Sequence, residues 1–197
     1  MSDASNEKTN TMNQTIEQII QRQSRPRLEL PAPNEAELQL VLRCGLRAPD
    51  HFRLKPWRFL VLQGAALIRL GETFQAIKAK ELGELSEAQV QKFLNMPLRA
   101  PMIIVAIANI QEHPKVPPIE QAVAVGCAVQ NMQLALASMG YGAMWRTGDL
   151  AFNPAVKEYF KAQEKDEIIG FLYVGTPAGP VKELTEQAIE EAVEFWS

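Results

Sequence analysis

The chain is poor in the residues that build metal and thiol chemistry. Its 197 residues include only two cysteines and two histidines. Cys44 and Cys127 sit outside any CxxC or other metal spacing, in apolar helical segments. They read as reduced, buried thiols that demand no oxidising compartment. His51 and His113 lie far apart in sequence, so no metal site is expected. There is no GxxxxGK phosphate loop, no GxGxxG after a strand and no GxSxG nucleophile elbow. The longest apolar run, "PMIIVAIANI", is too short to span a bilayer, and the polar start "MSDASNEKTNTMNQT" lacks a secretory apolar core. A formal charge of -3 argues against a general nucleic-acid or anionic-membrane surface, which needs a basic field. The expectation is a cytoplasmic protein whose residues 1–13 are disordered and whose residues 14–197 form one domain.

What is present is enough apolar material for a sizeable core, at 47% hydrophobic and 22% charged residues. "QTIEQIIQRQS" has isoleucines at helical spacing and predicts a short helix ending near Ser24. Asn34 with Glu37, and Ser86 with Gln89, have capping-box spacing and open two more helices. "WRFLVLQ", "MIIVAIANI", "YGAMWRT" and "EIIGFLYVGTP" read as strands. The second of these is continuously apolar and β-branched, as a central strand covered on both faces should be. "IEQAVAVGCAVQNMQLALAS" predicts a long helix through the middle of the fold, stopped by Gly140. The tail "KELTEQAIEEAVEFW" reads as a final acidic helix. Together these give an α+β fold, a mixed central sheet flanked by helices.

Against the acidic total, cations gather in three places: Arg22, Arg25 and Arg27; then Arg47, His51, Arg53, Lys55 and Arg58; then Arg146 beside Trp145. Each group lies at an element boundary, where side chains and free backbone N–H groups can face an anion. The plain alternative is that boundary arginines are solvated or cap helix ends. Arg58 alternates along a strand and is expected to face water.

Four segments carry a resemblance. "QRQSRPR" resembles the N-terminal "RRSxR" motif of the flavin-dependent nitroreductase family, and "RAPDHFRLKPWRF" resembles its "APSxxNxQPWxF". "ASMGYGAMWRTG" resembles its helix-to-strand segment, and "GFLYVGTP" its strand ending in "GxP". Order and approximate spacing agree from Arg22 to Pro177. The resemblance implies an intertwined homodimer with FMN in clefts at the subunit interface. In that setting Arg22, Gln23 and Ser24 would hold the phosphate and ribityl chain. Arg47, Pro49 and His51 would approach from the partner subunit, and Trp145, Arg146 and Thr147 would complete the phosphate side. Ala135, Leu136, Ala137, Ser138, Met139 and Gly140 match a stretch assigned to the nicotinamide nucleotide, although an apolar helix end is normally core.

This chain departs from the family pattern at Gln23, Arg53 and Lys55, and its only basic candidate after "GTPAGP" is Lys182. The activity implied is ping-pong: NADH or NADPH reduces bound FMN and leaves, and a small-molecule acceptor such as a nitroaromatic or quinone is then reduced. No catalytic side chain is needed, because the cofactor carries the redox chemistry. Two alternatives stay open. One is another flavin reaction on the same fold, namely reductive substituent removal or oxidative dehydrogenation. The other is a flavin-binding or flavin-delivering protein with little turnover.

Overall fold

The computed structural model describes residues 13–181 and 183–196. The expected disorder of residues 1–12, and Lys182, lie outside that range. Asn13 belongs to the first helix, α1 (Gln14–Gln21), as its N-cap, accepting from the Thr15 N–H at 2.9 Å.

After α1 come β1 (Leu28–Glu29), α2 (Glu35–Gly45), β2 (Trp57–Gln63), α3 (Ala65–Leu82), α4 (Glu87–Asn95), β3 (Met102–Ala108) and α5 (Pro118–Ser138). Then follow β4 (Gly142–Arg146), α6 (Asp149–Phe152), α7 (Pro154–Tyr159) and β5 (Glu167–Pro177). Both expected capping boxes are present: Asn34 with Glu37 opens α2 and Ser86 with Gln89 opens α4. Each satisfies backbone N–H groups that a helix start otherwise leaves without partners.

The sheet runs β2–β3–β5–β4, with β1 on the C-terminal end of β5, and all named strands pair antiparallel. Among the described residues the one parallel element is a bridge between Ser24 and Ala143. Every residue of β3 is buried. The reason is a two-sided core. Ile103, Val105 and Ile107 pack with Phe171, Tyr173, Leu70 and Phe74, against α3, α4 and α7. Met102, Ile104 and Ala106 pack with Leu172, Val174, Val125, Val129 and Met132, against α2 and α5. Strand alternation splits one apolar run between two faces.

Three expectations are corrected. Residues 183–196 form no α-helix; a single 3-10 turn at Ile189–Glu191 interrupts an exposed tail. Among the described residues Ile189, Phe195 and Trp196 stay more than half exposed, and a short helix rarely forms without tertiary packing. Arg58 does not face water: its Nη2 donates to the Phe160 carbonyl at 2.7 Å, closing the C-terminus of α7. Cys44 is exposed and Cys127 half-buried, so neither is a core thiol.

The long helix α5 buries one side only. Leu136 and Met132 are fully enclosed, whereas Ile119 and Val123 are more than half exposed. Helix α1 has no buried residue, and Ile16, Ile19 and Ile20 all lie open. Among the described residues no helix is long and apolar enough to cross a membrane.

Candidate functional site

The site residues distribute along β4. At its start the chain before β1 lies alongside: the Arg25 N–H donates to the Ala143 carbonyl at 2.9 Å. Gly142 makes this approach feasible, since a Cβ there would stand 3.0 Å from the Arg25 Cβ and 2.8 Å from Leu28. A cavity of about 260 Å³ opens at this end, lined by Gln23, Ser24, Arg25, Arg27 and the turn at Ala178 and Pro180. The Ala178 N–H donates to the Arg27 carbonyl at 3.0 Å, which joins the two walls.

At the far end of β4, alternation sends Trp145 toward α5 and Arg146 toward the opposite face. The Trp145 indole donates to the Ile169 carbonyl at 3.0 Å. That carbonyl is offered by a bulge, where Ile168 and Gly170 pair consecutive residues of β3 and Ile169 is left over. Arg146 turns into a second cavity, of about 370 Å³, with Thr147, Gly148, Asp149, Arg99, Met96 and Tyr173 on its walls. Its guanidinium carbon lies 5.6 Å from the centre of the Tyr173 ring, and its buried Nε has no hydrogen-bond partner. The Tyr173 hydroxyl donates to the Met96 carbonyl at 3.2 Å. Burial pushes this hydroxyl above its usual range, while the Arg99 and Arg146 charges pull it down. Both guanidinium groups therefore act at the same place.

The two cavities mark opposite ends of one strand. Ala143 to Arg146 is three strand steps, or about 10 Å. Among the described residues no arginine takes part in an ion pair, and Arg25, Arg27, Arg99 and Arg146 make no side-chain hydrogen bond. Of these four only Arg146 has a buried donor without a partner, which is costly and which an anion or polar ligand would relieve; Arg27 and Arg99 are exposed.

The remaining sequence candidates fall elsewhere. Arg22 caps α1 and lines neither cavity. Arg47, Ala135 and Ser138 line a groove of about 770 Å³ between α1 and α5, together with Cys44 and Asn131. Leu136, from the same stretch, is core. Pro49 and His51 line neither cavity; the His51 Nδ1 pairs with Glu120 of α5 at 2.5 Å, with the ring largely exposed. Arg99 was not singled out from sequence. It sits in "PLRAP", between two prolines, and only β4 and β5 give it its neighbours. Among the described residues no group of three or more His, Cys, Asp or Glu could hold a metal.

The model of the nitroreductase family matches residues 19–176 of the chain. This chain belongs to the nitroreductase family. The Escherichia coli (strain K12) protein named "Putative NAD(P)H nitroreductase YdjA" is 43% identical over 164 residues, 82% of this chain and 87% of that one. Among solved structures, a nitroreductase-like family protein from Bacillus cereus superposes with a TM-score of 0.76 at 24% identity, covering 94% of this chain and 97% of the other. A nitroreductase from Bacteroides fragilis, solved with bound FMN, does so with a TM-score of 0.73 at 22% identity, covering 94% of this chain and all of the other (100%). The match covers both ends of β4 and nearly all of β5.

Proposed function

We propose that the chain is an FMN-dependent NAD(P)H oxidoreductase that works as a homodimer and reduces small acceptors such as nitroaromatics or quinones. The observation that carries this reading is the pair of arginine-lined cavities at the two ends of β4, with the Arg146 Nε buried and unpartnered. FMN has a dianionic phosphate at one end and an electron-accepting ring at the other, which suits such a pair. The names and the FMN-bound fold of the relatives agree with it.

Bound FMN supplies the two-electron chemistry, so the chain needs no nucleophile. Its own residues bind and orient. Arg25 and Arg27, beside Ser24, would hold the phosphate through charge-assisted contacts. Arg146 and Arg99 would place positive charge beside the ring, where it favours a reduced, electron-rich flavin. Sequence resemblance puts Trp145 to Thr147 on the phosphate side; in the present reading they serve the ring end, because they line the cavity at the far end of β4 from Ser24 and Arg25. Arg47, Pro49 and His51 line neither cavity of their own chain, so they serve the cofactor from a second copy. The uncovered apolar residues of α1, α5 and the tail agree with such a dimer. A cytoplasmic setting, where both free thiols stay reduced, belongs to the same reading.

The test is an absorption spectrum of the purified protein, then anaerobic titration with NADH and with NADPH. Flavin bands that bleach on titration are expected. A colourless protein that takes up no added FMN refutes the proposal. The dimer is tested by mixing subunits carrying Arg47→Ala with subunits carrying Arg146→Met. If Arg47 acts across the interface, each mixed dimer regains one intact site and binds half the FMN at wild-type affinity. If every site in the mixed dimers stays weak, Arg47 acts within its own chain.

A further inference from the structure

Lys78 is nearly buried, its side chain 10% exposed, near the C-terminal end of α3. Its Nζ lies 2.6 Å from Asp149 Oδ2 and 2.8 Å from Glu81 Oε2. The other oxygen of Glu81 accepts from the Asn153 side-chain amide. Asn153 in turn caps α7, its Oδ1 accepting from the Ala155 N–H at 2.9 Å. Two residues one turn apart on α3 thus grip both ends of α6. That helix has four residues and no side-chain cap of its own. A single turn cannot sustain itself, because its ordering is not repaid by its own hydrogen bonds. Asp149 directly follows Thr147 and Gly148, and all three line the cavity of Arg146.

We propose that Lys78 is a positioning residue: with Glu81 it clamps α6 to α3 and so holds the Thr147–Asp149 turn in the shape that receives the ring end of the cofactor. This rests on the function proposed above. Lys78 itself does not line the cavity, so its influence on the ligand passes through Asp149 and the turn. Replacing it with an apolar residue removes the cation that pairs with both Glu81 and Asp149 among the described residues and leaves the two carboxylates to repel each other. The turn is then released from below.

The experiment uses the full chain and FMN itself as probe. Lys78→Met is expected to raise the FMN dissociation constant about tenfold, as losses of orienting outer contacts do. It should also alter the visible circular dichroism of the bound flavin. Lys78→Arg keeps the charge and should restore most of both. Lys157→Met is the control: it breaks another ion pair of a largely buried lysine, to Glu167 at 3.0 Å, which is not part of the cavity wall. It should lower stability and leave both flavin readouts unchanged. If Lys78→Met does not fold, Glu81→Gln, on the same clamp and outside the cavity wall, carries the same test. A folded variant with wild-type affinity and wild-type dichroism overturns the clamp. Wild-type protein that takes up no FMN overturns the function and the clamp together; a normal wild type beside an unaffected variant overturns the clamp alone.

Discussion

Replacing Arg146 with methionine should separate binding from stability. The side chain leaves β4 for the interior of a cavity, its Nε is buried without a partner, and its guanidinium lies over Tyr173. In the cofactor-free protein the unsatisfied donor costs about 1–3 kcal/mol. The ring contact returns about 0.5–2 kcal/mol. Methionine fills a similar volume with a flexible apolar chain, so the packing of the stem is largely kept. These opposing effects nearly cancel. Urea unfolding of the cofactor-free variant should therefore stay within about 1 kcal/mol of wild type. With FMN the balance changes, because a charge-assisted contact worth about 1.5–3 kcal/mol is lost. The dissociation constant from flavin-fluorescence titration should rise about tenfold to a hundredfold. A variant that loses more than about 2 kcal/mol of stability yet binds FMN like wild type would refute the reasoning. Arg146 would then be a structural cation, and the ring end would lie elsewhere.

Arg58→Met should cost about 1–2 kcal/mol in urea unfolding and leave FMN affinity unchanged, since its guanidinium closes α7 and touches neither cavity. Gly170→Ala should destabilise by about 2 kcal/mol or more on thermal unfolding and weaken FMN binding, because its Cβ would meet Trp145 Nε1 at 2.3 Å and the Arg146 carbonyl at 2.8 Å. The clamp should also show in pH dependence. Asp149 is held below its ordinary range mainly by the Lys78 hydrogen bond, so its contribution is present above about pH 4 and fades as pH falls through the depressed value. Lys78 is raised, mainly by its bond to Asp149 and next by Glu81, so its contribution is present below about pH 10.4 and fades as pH rises beyond that. The stability gap between wild type and Asp149→Asn should therefore shrink progressively as pH falls from about 4 through the depressed value; a gap that stays constant over that fall contradicts the assignment.

Much of the frame was legible because its signals are local. The strand segment "EIIGFLYVGTP" coincides with β5 from Glu167 to Pro177, and both capping boxes formed where side-chain spacing placed them. The unbroken apolar run of β3 correctly implied cover on both faces, since each alternate half has its own cluster. What failed depended on partners distant in sequence. The tail has helical composition, yet Ile189, Phe195 and Trp196 lie largely open among the described residues. Alternation along β2 gave Arg58 to solvent, but α7 arrives on that face from a hundred residues away (|i−j| = 102). The site shows the same division. The motif segments located β4 and its neighbours, whereas the opposite directions of Trp145 and Arg146 follow from strand pairing. Arg99 joins Arg146 only once β5 is in place between β3 and β4.

The cation-rich stretch after α2 has a different logic from the two cavities. Phe52, Arg53 and Lys55 all adopt positive φ, at 57°, 55° and 50°. Non-glycine residues in that region cost of order 1 kcal/mol each or more, and persist only where their surroundings over-determine them. Here the surroundings do so on one side. Asp50 accepts from the Lys55 N–H at 2.7 Å, His51 pairs with Glu120, and the Phe52 ring lies 4.8 Å from His113 with Lys115 above it. These contacts fix the backbone of the loop, and they leave Arg53 and Lys55 exposed and unpaired among the described residues. The loop lines neither of the two cavities of β4. In the proposed dimer its charges would serve the cofactor of the second copy, a return for the strained backbone that solvent would not give. The acidic total is compatible with such local cation clusters, since other cations, Lys78 and Lys157 among them, are taken up by carboxylates within the chain.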